Sequence, residues 1–374
     1  MRSARISIVS LASSNTSLSD ILEQQLTLNI TTRVQILNSR FALEHRYDNR
    51  ALNLVPFGSF LAIHGFSEDW KKLYLTPTLI TLFISPDGLY KMSTRFMLNM
   101  FAGENKFVDL RYAWRCFTIE GGTNVWIQKM VEPFRNHIRR NCGVKRVIKA
   151  SEKTNGKVRL ELENGTVEEF DHVLIALGGA TAALLLDREE MSYVEKNIFD
   201  AIEYATERVV LHTDQSFVPS DPKMKRNFNY VHYKGMKEPM LTGLLHEISK
   251  QPKVDPCPIL TMNPVREPKN IIHERYCSVH VQDLKHLVAT KIFLPSVQGV
   301  GGVWHCGSWT NWFGHSGGID AGLACARRLG AHYPLKGDIA RKDFHNNACF
   351  DMFGPRFDWE TSVRKPKPIF KAAL

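Results

Sequence analysis

Residues 304–330 read WHCGSWTNWFGHSGGIDAGLACARRLG and hold the pattern that decides the fold. The pattern predicts a short buried strand that ends at Gly307, an aromatic loop, and a helix opened by Gly317 and Gly318. The unpaired N–H groups of its first turn carry about half a positive charge, which suits a pyrophosphate or an electron-rich ring edge. A plain strand–turn–helix with a packed aromatic loop explains the same residues equally well. The helix also has small residues that let it lie close against a sheet or a flat ligand, namely Ala321, Gly322, Ala324 and Ala326.

Strands are predicted upstream of this segment. Residues 144–150 are rich in β-branched side chains, and residues 157–170 alternate around Asn164-Gly165, the strongest short signal for a hairpin. Residues 171–177 form a continuous apolar run, which is typical of a fully buried strand in a parallel sheet. Together these segments predict an α/β fold.

Composition excludes several classes of protein. The 374 residues are enough for two or three domains, and their 44% apolar and 23% charged content is typical of globular chains rather than disordered or fibrous ones. The net charge of +10 is spread along the chain, so it suits an anionic ligand better than a nucleic acid. No apolar run reaches the roughly 18–20 residues of a membrane span, so no integral membrane segment is expected.

The seven cysteines are spread singly and form no CxxC pair, which argues against a disulfide framework and a structural zinc site. A reducing compartment, the cytoplasm, is therefore expected. The first 19 residues are rich in serine and lack acids, which resembles a weak organelle-targeting peptide. The cut end of a longer chain is the favoured interpretation of that segment.

Residues 304–330 resemble the carboxy-terminal FAD motif of the flavin-containing amine oxidase superfamily, and in particular its amine-oxidase-like predicted NAD/FAD-binding branch. Four further motifs precede this segment and stand in the same order as in that branch. They lie at residues 114–125, 144–177, 210–214 and 260–264. The resemblance implies an FAD-binding domain of the GR2-like, Rossmann type. It also implies a discontinuous substrate domain of mixed sheet and helices.

The sequence departs from the family pattern at three points. It contains no GxGxxG, so the resemblance implies an FAD domain that is incomplete at its N-terminus. Ser308 stands where the wider superfamily has an acid, which weakens a contact to the ribityl chain. Ser316 and Gly317 stand where the branch carries an acidic pair, which puts proton handling by such a pair in doubt.

The resemblance implies roles for individual residues. His315 is the expected catalytic residue, because it takes a position that often faces the substrate, and a packed neutral histidine is an equally good interpretation. The loop side chains would bracket a planar group or line the substrate pocket, namely Trp309, Trp312 and Phe313. The residues expected to bind FAD are Gly121, Gly122, Val144, Gly307, Ser308, Gly317, Gly318 and Ile319. No metal ligands are expected.

His212 and Asp214 are two residues apart on a predicted strand, so both point to one face. That arrangement could orient a base, but a structural role is favoured.

The expected organisation has five segments. The substrate domain would take residues 1–113, mainly helical, and 186–295, with sheet and helices. The FAD domain would take residues 114–185, with a hairpin and a returning strand, and the motif at 296–334. A basic tail would follow at 335–374.

The resemblance implies an FAD-dependent oxidoreductase that abstracts a hydride from a C–N or C–C bond of a small molecule. The apolar residues 73–101 suit a lipid-like substrate. One alternative is a truncated or degenerate fragment that is not catalytic and does not fully bind FAD. Another is a subunit whose missing part comes from a different chain. The oligomeric state stays open.

Overall fold

The computed structural model of the chain describes residues 6–9, 52, 54–80, 85–102, 119–221, 224–232, 236, 238–249, 254–311 and 314–331. The predicted basic tail at 335–374 lies outside these residues. Unit 1 comprises Met1–Arg135 and Tyr204–Leu284, and unit 2 comprises Asn136–Glu203 and Lys285–Leu374. Each compact unit therefore combines two stretches that are distant in the sequence.

The described residues form strands that are, in chain order, β1 (Ile6–Val9), β2 (Val144–Ile148), β3 (Val158–Leu162), β4 (Val167–Phe170), β5 (Val173–Ala176), β6 (Tyr204–His212), β7 (Phe228–Val231), β8 (Met240–Leu244), β9 (Ile259–Met262), β10 (Ile271–His280) and β11 (Val303–Cys306). The α-helices in the same residues are α1 (Phe57–Ile63), α2 (Glu68–Trp70), α3 (Thr76–Ile80), α4 (Pro86–Lys91), α5 (Thr94–Ala102), α6 (Thr123–Val131), α7 (Gly179–Leu185), α8 (Tyr193–Asp200), α9 (Leu245–Ser249), α10 (Leu284–Val288), α11 (Leu294–Val297) and α12 (Gly314–Arg328). None of these helices is both long and apolar enough to cross a bilayer.

Unit 1 is built around a six-stranded sheet in the order β1-β7-β8-β9-β6-β10. β1 runs parallel to β7, and the other neighbours are antiparallel. Every residue of β8 is buried, because this central strand is covered on both faces. The strand predicted around His212 is confirmed as β6, which ends at that residue. The motif at 260–264 begins within β9.

Helices of unit 1 pack onto this sheet. A π-helix, Lys71–Leu75, leads directly into α3, and α4 and α5 follow along the chain. A buried cluster joins α3 to the sheet and consists of Ile80, Val209, Tyr230, Leu241 and Met262. Burying each of these side chains contributes about 1.5–3 kcal/mol, so the cluster holds the helices to the sheet.

Unit 2 contains the predicted hairpin as part of the three-stranded sheet β2-β3-β4. Gly165 supplies the positive φ of 83° that the turn requires. The Asn164 side-chain oxygen accepts a hydrogen bond of 3.0 Å from the backbone N–H of Thr166. The Asn-Gly pair therefore folds as its chemistry predicts.

The apolar run at 171–177 forms β5, which pairs in parallel with β11. Ile175 is buried against a core with Val147, Val158 and Val303. The expectation of full burial was wrong, however, because Leu174 is 38% exposed. Only one face of β5 packs on the core of its unit.

Candidate functional site

The loop that follows β11 begins with a backbone conformation that residues other than glycine rarely adopt. Gly307 has φ 115° and ψ 163°, and a Cβ atom there would lie 2.8 Å from the carbonyl oxygen of Leu177. Leu177 directly follows β5, the parallel partner of β11. The carboxyl ends of two parallel strands thus meet at this point, and in open α/β sheets ligands bind outside such ends.

The residues after Gly307 form a 3-10 turn, Ser308–Thr310. The Thr310 hydroxyl donates to the carbonyl of Gly307 at 2.9 Å, which ties the turn to the strand end. The carbonyl of Trp309 accepts a hydrogen bond of 2.8 Å from His286 Nε2. The turn is therefore fixed at both its middle and its last residue.

Trp309 is 1% exposed and packs in the interior of unit 2. Its ring lies 5.7 Å from that of Phe199 and 6.2 Å from that of His305, measured between ring centroids. The indole Nε1 has no hydrogen-bond partner among the described residues. Trp309 is thus a core side chain with one unused donor, and its role as a substrate-pocket residue stays a prediction.

The helix after the loop starts earlier than expected. α12 begins at Gly314, so Gly317 and Gly318 lie inside it and do not open it. The expected start was wrong because Gly314, with φ 87°, already turns the chain into the helix. The free N–H groups of the first turn therefore belong to residues 314–317. His315 lies in this turn and is exposed.

Space is left beside the small residues of α12. A Cβ atom on Gly318 would meet only the backbone nitrogen of Ser308, at 3.8 Å, and one on Gly322 would meet nothing within 4 Å. Ser308 N and the first turn of α12 thus offer polar donors next to a face without side chains. The open face at Gly318, beside the N–H of Ser308, fits a flat, polar-edged group such as a flavin.

His305, on β11, is buried and neutral. Burial lowers the pKa of its imidazole to about 4. Its backbone N–H donates to Gln298 Oε1 at 2.8 Å, and Gln298 Nε2 donates to its carbonyl at 2.7 Å. The side chain of Gln298 therefore replaces a strand neighbour for β11 at this residue.

An ion pair that was not expected from the sequence joins β2 to α8 in unit 2. Lys149 Nζ bonds both carboxylate oxygens of Glu195, which is buried. Glu195 also accepts from Ser192 N at 2.9 Å, while Ser192 Oγ accepts from Glu195 N at 3.2 Å, which forms a capping box. Burial opposes ionisation of Glu195, but its bonds to Lys149 and Ser192 outweigh burial and lower its pKa. A Ser-x-x-Glu pattern at 192–195 was the sequence signal that could have located this carboxylate.

Asp320 lies on α12, two residues after Gly318, and was also not singled out from the sequence. Burial raises the pKa of its carboxyl to about 6. Residues two apart do not share a helix face, so Asp320 lies on the side of α12 away from Gly318.

We expect Asp320→Asn to stabilise the protein above pH 6. The fold raises the pKa of Asp320 above its ordinary value of 3.8, so the stability that it contributes is complete below that value and is lost as the pH rises through about 6. The free energy of unfolding of the variant should therefore exceed that of the parent by on the order of 1 kcal/mol at pH 8, since the side chain is partly exposed. Thermal unfolding between pH 4 and pH 8 measures this. Glu189→Gln, which removes an exposed carboxylate, is the control, and equal gains in both variants would contradict the expectation.

Gly121 and Gly122 belong to unit 1, whereas the other expected cofactor residues belong to unit 2. Both have positive φ, 77° and 84°, and Gly122 precedes α6. A Cβ atom on Gly121 would lie 2.8 Å from Val125 Cγ2, while one on Gly122 would meet nothing within 4 Å. The backbone of Gly122 is thus open to close approach, whereas the Val125 side chain lies against Gly121. The predicted contact of both glycines with an isoalloxazine ring stays a prediction.

The remaining expected site residues lie in three different settings. Val144 is the first residue of β2, is half-buried and pairs with Leu162. Ile319 is exposed on α12. Trp312 and Phe313 lie outside the described residues.

His212 and Asp214 have a structural role, as favoured from the sequence. Asp214 N donates to His212 Nδ1 at 3.1 Å, and His212 Nε2 bonds Thr261 Oγ1 at 2.8 Å. Burial lowers the pKa of His212. Asp214 bonds the Ser216 hydroxyl and Lys269 N, and these bonds lower its pKa to about 2. Both polar groups of the imidazole are occupied within the fold, so it is not available as a base.

The family model for flavin containing amine oxidoreductase matches residues 12–239, more than half of the chain. The chain belongs to this family. Membership implies a flavin cofactor, and it confirms the resemblance drawn from the motifs. A comparison with curated proteins finds no match.

Several solved structures share the fold of this chain. A CLA-producing fatty acid isomerase from P. acnes is 14% identical with a TM-score of 0.56, over 87% of this chain and 78% of that one. An oxidoreductase from Methanosarcina mazei is 12% identical with a TM-score of 0.53, over 88% and 81%. A double mutant of putrescine oxidase is 10% identical with a TM-score of 0.52, over 88% and 82%. At these identities the likeness shows a mixed helix and sheet fold of the amine oxidase type.

Proposed function

We propose that this chain is an FAD-dependent oxidoreductase that removes a hydride from a C–N or C–C bond of a small molecule. One observation carries the proposal. Gly307 brings the loop after β11 against Leu177 at the end of β5, and the following helix leaves an open face at Gly318 beside the N–H of Ser308. This is where a Rossmann-type FAD domain binds its cofactor.

The residues of unit 2 would hold the cofactor by backbone groups. Gly307 and Ser308 would contact the ribityl chain, and Gly317, Gly318 and Ile319 would face the pyrimidine edge. The positive end of α12 would stabilise negative charge that develops there. FAD, when bound, supplies the hydride-accepting ring.

Further contacts are part of the proposal. Val144 would approach the adenine by its backbone, and Gly121 and Gly122 would approach the ring. His315, exposed in the first turn of α12, would face the substrate and hold its orientation by a hydrogen bond. Trp309, Trp312 and Phe313 would exclude water from the reacting bond.

A lipid-like substrate is the more specific part of the proposal. The helices of residues 73–101 are rich in apolar side chains, and one protein of the same fold is a fatty acid isomerase. An amine substrate is the alternative, since another protein of this fold is a putrescine oxidase. Reduction of the bound flavin under anaerobic conditions by a panel of amines and of acyl chains distinguishes the two.

The visible spectrum of the purified full chain tests cofactor binding. We expect the yellow absorbance of oxidised flavin, and we expect FAD rather than FMN when the cofactor is released by heat and identified by mass spectrometry. A folded, colourless protein that takes up no FAD on incubation would refute the proposal and support a non-catalytic chain.

Gly318→Ala provides a test at the helix itself. Alanine favours helix over glycine, so the variant should stabilise the protein without flavin by about 0.5–1 kcal/mol. The added methyl group would occupy the face expected to contact FAD, so the dissociation constant for FAD should rise at least about tenfold, or about 1.4 kcal/mol. Gly322→Ala makes the same change one turn further along α12. It should stabilise the helix without lowering the affinity for FAD. Equal FAD affinity in both variants would place the flavin elsewhere.

A further inference from the structure

Cys257 and His246 lie opposite each other just beyond the paired ends of β8 and β9. These strands pair Gly243 with Leu260 and Leu244 with Ile259. His246 lies in α9, which directly follows β8, and Cys257 lies two residues before β9. The backbone bond from Leu245 N to Pro258 O, at 3.2 Å, holds the start of α9 against the chain that enters β9. The paired strand ends and the start of α9 therefore bring the two residues together.

The pair is extended by a carboxylate into a chain of three groups. His246 Nδ1 lies 2.6 Å from Cys257 Sγ, and His246 Nε2 lies 3.3 Å from Glu247 Oε1. The His246 side chain is 15% exposed and that of Glu247 is 39% exposed. Gln215 Nε2 donates to the Cys257 carbonyl at 2.9 Å, which fixes the backbone that carries the sulfur. A thiol, an imidazole and a carboxylate in this order are the groups that activate a cysteine nucleophile.

We propose that Cys257 is a reactive thiol that hydrogen peroxide oxidises to a sulfenic acid. His246 takes the proton of the thiol, and Glu247 stabilises the resulting imidazolium. The thiolate sulfur attacks one oxygen of the peroxide, so an S–O bond forms while the O–O bond breaks. Sulfur is oxidised by two electrons and the peroxide is reduced. The leaving hydroxide takes the proton from His246, which gives water and the neutral imidazole.

Other cysteines of the described residues provide an internal comparison. Cys306 and Cys325 are buried, whereas Cys277 is partly buried like Cys257. Cys277 packs against the cluster around Leu241 in unit 1, and no histidine among the described residues bonds its sulfur. Cys277 is therefore the matched control, because it is partly exposed like Cys257 but has no histidine in the described part of the chain that bonds and activates its thiol.

The test measures oxidation of both cysteines in the same molecule. The purified full chain is treated with limiting hydrogen peroxide in the presence of dimedone, and labelling of the peptides containing Cys257 and Cys277 is followed by mass spectrometry. We expect Cys257 to react at least about tenfold faster, because His246 lies within reach of its sulfur and can take the thiol proton during the attack. Equal rates would overturn the proposal, and this comparison requires no variant and no bound flavin.

Two variants test the role of the neighbours. His246→Asn should lower the rate at Cys257 to near that of Cys277, and Glu247→Gln should lower it by a smaller factor. The rate at Cys277 should not change, and its increase would reveal unfolding of the unit. An unchanged Cys257 rate in a folded His246→Asn variant would overturn the assignment of His246.

Discussion

Gly307→Ala is expected to destabilise the protein by about 2–4 kcal/mol and to abolish retention of flavin during purification. The backbone at this residue has φ 115° and ψ 163°, a region that side chains other than glycine rarely adopt. The new methyl group would also lie 2.8 Å from the carbonyl oxygen of Leu177. That oxygen cannot move away without disturbing the end of β5. Denaturant unfolding and the absorbance of the purified variant measure the two effects.

Gly178→Ala is the matched control, because Gly178 stands at the same strand end one residue after Leu177. Its φ is −61°, and a Cβ atom there would meet nothing within 4 Å. The substitution should change stability by less than about 1 kcal/mol. If Gly307→Ala were as mild as Gly178→Ala, the close approach between the two strand ends would be wrong.

Trp309→Ala is expected to cost about 3–5 kcal/mol of unfolding free energy. The indole fills the interior of unit 2 between the rings of Phe199 and His305, and its loss leaves a cavity that these rings cannot fill. Trp309→Phe keeps most of the ring contacts and removes the unused Nε1 donor, so it should cost much less. Chemical denaturation monitored by circular dichroism measures both variants.

Leu184→Ala is the control for loss of an apolar side chain in the same unit. Leu184 is 83% exposed, so its truncation should change stability by no more than about 0.5 kcal/mol. A Trp309→Ala variant as stable as Leu184→Ala would contradict the burial of the indole. A selective loss of FAD affinity in Trp309→Phe, without loss of stability, would assign Nε1 to the cofactor.

Local chemistry made several elements of the fold predictable. The turn at Asn164-Gly165 was predictable because glycine adopts a left-handed backbone and asparagine has a short polar side chain that bonds the backbone. The strands beside it were predictable because apolar and polar residues alternate with a period of two. The strand expected at 144–150 was found for the same reason, as β2. The order of motifs likewise identified the family without knowledge of any contact.

Half-burial of β5 and the early start of α12 were not predictable in the same way. The sequence of β5 is apolar throughout, so it does not tell whether one or both faces of the strand are covered. The exposure of Leu174 depends on which helices and strands of unit 2 pack against β5. α12 begins at Gly314, which has a positive φ. Residues 307–322 contain five glycines, so the sequence offers several equivalent positions at which the helix could begin.

The sequence by itself determined the family, the hairpin and the glycine-rich segment after β11, because each depends on residue type and spacing over a few neighbours. Tertiary structure alone decided that β11 pairs with β5 across some 130 residues of chain, that Trp309 is interior, and that His246 meets Cys257. These outcomes depend on strand register and on which surfaces become buried together. Both are properties of the whole packed unit, since burial and pairing join residues that no local pattern connects.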